Sequence, residues 1–370
     1  MTQIFDIAII GAGIAGASVA ARLAGKHSVI VLEMEERPGY HSTGRSAAAF
    51  EPNYGPATIR ALTRASRELF FDPPKGFSDA PLVLPRETVF VAPADQDEAF
   101  ERLLAESQGL REIDPSEARR LHPKLRDGYA KRAVLDRGTA DLDVDLIHRG
   151  FLRQIKDAGA QAICNAEVTG LKHGSHWTIA TRAGTFHART VVNASGAWAS
   201  RISAHAGAAP IAIQPKRRSI AVVPAPDGEA SDAWPLIGDV GETWYCKPQS
   251  GKLLVSPADA APVDPHDAFA DDMTLAEGIE RFQEAMDIEV TRVEHTWGGL
   301  RSFAADGNPV CGYDAVAPRF FWLAGQGGYG IQTAPALSLL AAALIDGGGV
   351  PQSIADEGFD PAAVSPLRFG

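Results

Sequence analysis

The chain has 370 residues, 45% of them hydrophobic, 22% charged, and a formal net charge of −11. That length accommodates about two domains with sizeable cores, while the acidic balance argues against a face built for nucleic-acid phosphates. There is no apolar run of about 18 residues to span a membrane, and the scattered Cys164, Cys246 and Cys311 form neither a disulfide framework nor a zinc knuckle.

The apolar run Ile7–Ile10 empties into Gly11-Ala-Gly-Ile-Ala-Gly16 and then into small residues at helical spacing, which predicts strand, tight turn and helix. The three glycines play different parts, since Gly11 makes the turn, Gly13 lets a pyrophosphate approach the backbone, and Gly16 packs helix on strand. A second apolar run, Val29–Leu32, ends at Glu33, 22 residues after Gly11, where a carboxylate receives the hydroxyls of an adenosine ribose. Its neighbours Met34, Glu35 and Glu36 include no arginine for a 2′-phosphate, which argues against NADP. The N-terminus therefore reads as a core strand without a basic leader, and a cytoplasmic location is expected.

Apolar periodicity predicts one helix over 57–71, closed by Pro73-Pro74, then extended chain over 80–92 and a charged helix over 95–106. Residues 143–158 form a further helix with Leu146, Ile147, Phe151 and Ile155 on one face. Residues 160–168 read as a strand, and 177–181 with 186–193 as a hairpin. This strand runs into Asn193-Ala-Ser-Gly196-Ala-Trp198, a second place where backbone can approach a phosphate or a ring. Residues 213–256 have the Pro- and Gly-punctuated strands of an antiparallel sheet, followed by a helix over 275–286 and a strand over 291–297. The final unit is a strand over 320–324, the turn Gly325-Gln-Gly-Gly-Tyr-Gly330 and a long helix over 331–345. Together these predict an α/β fold of two domains, a Rossmann-like dinucleotide-binding domain (1–80, 145–215 and 305–370) interleaved with an antiparallel-sheet substrate domain (81–144 and 216–304). The ten histidines show no metal-ligand spacing, so no metal is expected.

The Gly11–Gly16 turn with Glu33, the stretch His41-Ser-Thr-Gly-Arg-Ser-Ala-Ala48, the turn ending at Trp198 and the closing glycines to Gly330 resemble the D-amino acid oxidase superfamily of FAD enzymes. Within it the chain looks most like bacterial D-arginine dehydrogenase. The resemblance implies noncovalent FAD held by Gly11, Gly13, Ile14, Ala15, Gly16 and Glu33, with Arg45, Ser46 and Ala47 at the flavin end and Val168 at the adenine. Gly196, Trp198, Arg301 and the Gly328, Tyr329, Gly330, Ile331, Gln332, Thr333 run complete the implied cofactor contacts. The substrate is implied between Tyr54, Arg218, Tyr245 and Arg301, since a planar guanidinium fork matches a carboxylate bidentately.

The implied reaction passes a hydride from the α-carbon of a neutral amine to the flavin, and the imino acid hydrolyses to a 2-oxo acid and ammonia. Proximity and orientation carry that scheme without a dedicated side-chain base. Electrons would leave to a quinone, another acceptor or oxygen. The chain departs from the D-arginine pattern where side-chain recognition is set: Ala49 replaces a histidine, and Thr88 stands where a glutamate would grip a guanidinium, one residue from Glu87. Glu51 is the alternative side-chain contact. Cys311, in Pro309-Val-Cys-Gly-Tyr313, resembles the place where sarcosine oxidases attach flavin covalently. Two other readings stay open: a glycine or sarcosine oxidase using oxygen, and a non-catalytic FAD-binding subunit.

Overall fold

A computed structural model describes residues 3–226 and 230–370. The strand Phe5–Ile10 runs parallel to Val29–Leu32 on one side and to Gly184–Asn193 on the other, at the centre of an eight-stranded sheet. Phe5–Ile10, Val29–Leu32 and the Thr190–Asn193 end of the third strand are almost uniformly buried because helices and loops cover both faces of a parallel sheet. The helix Ile14–Leu23 lies between the sheet, Gly330–Ile345 and Val144–Asp157, and small residues let it sit close. At Gly16 a Cβ would stand 1.9 Å from the Gly11 carbonyl oxygen, so only glycine permits this approach. Gly11 itself has φ +101°, a conformation an L side chain resists.

The second sheet has nine strands, is largely antiparallel, and draws on Thr88–Ala92, Arg132–Asp136 and the segments from Gln214 to Phe303. Its backbone is the long pairing of Gln214–Pro224 with His295–Phe303, in which Arg218 faces Gly299 and Lys216 faces Arg301 across the ladder. A third, small sheet pairs Ala140–Leu142 with Ala49–Phe50 on one side and Val83–Pro85 on the other. The mixed α/β two-domain architecture is as expected from the sequence. The 215/216 boundary, however, falls inside the Gln214–Pro224 strand.

Three elements differ from the sequence pattern for visible reasons. The helix expected over 57–71 breaks at Ser66 into Ala57–Ala65 and Arg67–Phe71. The Ser66 hydroxyl bonds the Leu62 carbonyl and accepts the Ala336 N–H, released next to Pro335 inside the long C-terminal helix. The strand expected over 160–168 is two, Gln161–Ile163 and Val168–His173. The strand expected over 291–297 lies at His295–Phe303, where partnering with Gln214–Pro224 decides its ends.

Candidate active site

A groove opens at the carboxyl ends of the parallel strands, where the strand order changes direction and a doubly wound sheet leaves room for a ligand. Gly11, Gly13, Ile14 and Ala15 line it at the start of the first helix, whose N-terminal N–H groups favour a pyrophosphate. Glu33, Val168, Gly196 and Trp198 also line it. Glu33 accepts the Ala12 N–H at 2.7 Å and the Glu35 N–H at 3.0 Å. Burial raises its pKa, while those backbone bonds act in the other direction. The His41 ring lies 4.6 Å from that of Trp198 and bonds Glu35 through Nε2 at 2.8 Å, closing the groove from above.

The groove continues into a larger cavity of about 740 Å³, and Ile14, Ser42, Thr43, Leu300, Gly327 and Gly330 line both. An elongated glycine-bounded slot leading to a wide chamber fits a dinucleotide carrying a ring system. Ser46, Ala47, Gly328, Gly330, Ile331 and Gln332 wall the chamber on that side. Gln332 is 4% exposed; its Oε1 accepts the Glu51 N–H at 3.0 Å, and its Nε2 has no partner among the described residues.

The far side of the chamber is cationic. Arg218 Nε and Arg301 Nη2 both donate to the Asp259 carbonyl oxygen, at 2.9 and 3.0 Å, so one backbone atom tethers two guanidiniums. Among the described residues neither meets a carboxylate side chain, and Arg301 Nε is buried without a partner. Burial, followed by the charge of Arg218, lowers the Arg301 pKa. The Asp259 carboxylate is engaged elsewhere, by the Ser219 N–H and hydroxyl. Tyr54 and Tyr245 complete this wall. Tyr54 packs edge-on against Tyr329 at 4.9 Å, and burial pushes its hydroxyl above its usual range, so it stays a donor. Gly328 leaves room for Arg301, whose Cδ would lie 3.1 Å from a Cβ at that position. Two guanidinium forks and two tyrosine hydroxyls make a site for a carboxylate.

Some expected residues stand elsewhere. Thr88 is buried, its hydroxyl donating to Thr139 Oγ1, and it does not line the chamber. Glu87 points outward to Arg137 at 2.9 Å. Thr333 bonds the Tyr329 carbonyl within the helix, and Tyr329 backs Tyr54 instead of facing the chamber. Gly16 serves packing alone. Arg45 contributes backbone to the wall, but its guanidinium is held by Asp267 and by the Ala268 and Gly298 carbonyls. Cys311 lies in the hydrophobic core and outside both cavities, and burial pushes its thiol far up, so no thiolate faces the chamber.

Several chamber residues carry no local motif. Lys247 is 4% exposed, donates to the Ala47 carbonyl at 2.6 Å and lies 3.4 Å from Asp141. Burial lowers its pKa against the pull of Asp141. Asp136, Phe90, Leu103, Leu236 and Glu242 also reach the wall. The side chain of Glu51 enters the chamber with no hydrogen bond or ion pair among the described residues. No cluster of three potential metal ligands occurs among the described residues, and none of their helices is long and apolar enough to cross a membrane.

Residues 6–344 match the family model described as FAD dependent oxidoreductase. Glycine oxidase of Geobacillus kaustophilus is 25% identical over 371 residues, covering 94% of this chain and 94% of that protein. The solved L-proline dehydrogenase of P. horikoshii superposes with a TM-score of 0.83 at 23% identity, covering 98% of both chains. Iminodiacetate oxidase of Chelativorans sp. BNC1 gives 0.77 at 21% identity, covering 93% of this chain and 96% of that one.

Proposed function

Because the chain belongs to the FAD dependent oxidoreductase family, we propose that it oxidatively deaminates D-amino acids, anchoring the substrate carboxylate on Arg218 and Arg301. The observation that carries this reading is the pair of tethered guanidiniums, without carboxylate partners among the described residues, opening into the chamber that continues the dinucleotide groove. FAD, when bound along the glycine turn, supplies a hydride acceptor for the substrate α-carbon. The arginines and the Tyr54 and Tyr245 hydroxyls orient the carboxylate, which fixes the direction of the α-hydrogen. The imino acid then leaves and hydrolyses to a 2-oxo acid and ammonia.

The D configuration rests on the resemblance of the His41–Ala48 and Gly325–Gly330 stretches to D-amino acid enzymes. For the side chain, the chamber offers Phe90, Leu103 and Leu236, with Thr88 and Glu87 out of reach. The same chamber holds Glu51, Asp136 and Glu242, so D-methionine and D-phenylalanine are compared with D-arginine and D-lysine, apolar side chains meeting the first group and cationic ones the acids. The test is anaerobic bleaching of the flavin across paired D- and L-amino acids, glycine, sarcosine, proline and iminodiacetate. Bleaching by D enantiomers alone supports the reading, and bleaching by the L series alone overturns it. A glycine or sarcosine oxidase is the second reading, favoured by full-length similarity to glycine oxidase; it requires peroxide formation on glycine or sarcosine in air.

A further inference from the structure

We propose that Glu51 takes the proton from the substrate's ammonium group, producing the amine form that can be oxidised, and that Asp136, held by Asn53, is its positioning residue. This rests on the amino acid oxidation reading above. An α-amino acid arrives at neutral pH as a zwitterion, whose ammonium nitrogen has no lone pair to support loss of hydride from the adjacent carbon. One proton must therefore leave first.

The chamber offers few groups free to receive it. Lys247 is committed to the Ala47 carbonyl and to Asp141. Asp136 is buried and accepts the Asn53 amide at 2.8 Å and the Gly138 N–H at 2.7 Å. Burial carries the Tyr54 and Tyr329 hydroxyls above their usual range. Among the described residues, two chamber carboxyls lack a hydrogen bond or ion pair, Glu242, which is exposed, and Glu51, which is the more enclosed of the two. Glu51 is joined to the cofactor side of the chamber and, through its own short segment, to the carboxylate side. Its N–H is fixed on Gln332, in the first turn of the helix that follows the Gly325–Gly330 glycines, while Tyr54, three residues on, serves the carboxylate end. A substrate held by Tyr54 and the arginines lies along this short segment.

That segment is rigid. Asn53 donates to the Gln108 carbonyl at 3.0 Å and to Asp136, and accepts the Gln108 N–H at 2.9 Å. The charges facing Glu51 are Asp136, Glu242 and Asp141 on one side of the balance and Lys247 on the other. Burial first, then Asp136 and Glu242, push its acid up to about 7, where a base serves a neutral-pH reaction best. In the step itself an ammonium N–H bond breaks and an O–H bond forms on Glu51. The α C–H bond then breaks with its electron pair passing to FAD, the iminium product leaves, and Glu51 returns its proton to water.

The test is anaerobic stopped-flow reduction of the holoenzyme by the best amino acid from the screen, across about pH 6 to 10. A parallel pH titration follows the oxidised flavin's absorbance without substrate. The wild type should show a rising limb with a midpoint near that of Glu51 and a matching ionisation in the flavin spectrum. In Glu51→Gln the spectral ionisation should vanish, the rate at pH 7 should fall roughly 10²-fold, and the limb should move up to the ammonium's own ionisation. Asp136→Asn, which removes a neighbouring negative charge, should move limb and spectral midpoint together toward acid, a shift that loss of packing would not produce. A Glu51→Gln profile superimposed on the wild type overturns the proposal and leaves the amino acid reading standing. A wild type that no amino acid reduces overturns that reading, and the proposal with it.

Discussion

Replacing Arg301 by methionine separates binding from stability, because this guanidinium serves a ligand at some cost to the fold. Among the described residues it makes one hydrogen bond, to Asp259, while its Nε is buried without an acceptor and Arg218 adds a second positive charge nearby. A carboxylate gripped by the planar fork forms two charge-assisted hydrogen bonds, worth about 1.5–3 kcal/mol each. Their loss lowers kcat/KM by roughly 10²- to 10⁴-fold, toward the lower end because Arg218 remains. Methionine has similar length and removes a buried unsatisfied donor that costs about 1–3 kcal/mol, and Asp259 keeps its bond from Arg218. The melting temperature of the substrate-free holoenzyme should therefore hold or rise, by roughly 2 °C for each kcal/mol. Anaerobic flavin reduction against substrate concentration gives the first quantity and calorimetry the second. A variant that melts several degrees lower while retaining wild-type kcat/KM would show Arg301 to be a structural tie and refute the anchoring argument.

Acid lability should trace in part to His122, which is fully buried against Trp234 at 4.7 Å, with neither ring nitrogen bonded among the described residues. Burial pushes its pKa from 6.5 to about 4, so between those values the unfolded chain binds a proton that the folded chain refuses. Stability is thus complete above about pH 6.5 and declines as pH falls toward 4, by about 3 kcal/mol in all. Urea midpoints of His122→Phe should fall less steeply over that window, and equal slopes would remove His122 from the account. In the glycine turn, Gly16→Ala forces a Cβ to within 1.9 Å of the Gly11 carbonyl oxygen, which only backbone movement relieves. This variant should be recovered without flavin and with reduced stability, whereas a yellow protein of normal stability would show that the turn has more slack than its geometry implies.

What could be seen in the chain without coordinates follows the range of the interaction. The Gly11–Gly16 turn and Glu33 are legible because strand, turn and helix lie within a few residues of one another and each glycine answers a local steric demand. The helix expected over 57–71 has the right period throughout but breaks at Ser66, because the hydroxyl there serves Ala336, 270 residues away. Thr88 and Thr333 stand away from the chamber for a related reason. A motif places a residue in the neighbourhood of a site, but side-chain direction depends on how its element is rotated. Thr88 turns to Thr139 and Thr333 to its own helix. Lys247 illustrates the opposite case, a chamber residue that contacts Ala47 across 200 positions and carries no signal of its own beyond a lysine in a strand.

The same distance dependence explains why the segment from Ser42 to Tyr54 is the centre of the site. It lies between the two large sheets and is fastened repeatedly to the second. The Ser42 hydroxyl donates to the Leu300 carbonyl at 2.6 Å, Trp297 Nε1 to the Arg45 carbonyl at 2.9 Å, Lys247 to Ala47, and Asn53 to Asp136. Toward the cofactor groove it is held by the Ile14 N–H on Thr43 at 2.9 Å and by Gln332 on Glu51. Each bond is modest on its own, about 1 kcal/mol net. Their arrangement matters more than their sum, because it makes one stretch of chain carry the wall of the ring chamber, a carboxylate donor at Tyr54 and a free acid at Glu51. Loosening any fastening displaces all three together. Changes at Asn53 or Lys247 should therefore alter flavin environment and substrate reduction in parallel, whereas changes at Arg218 should affect the substrate alone.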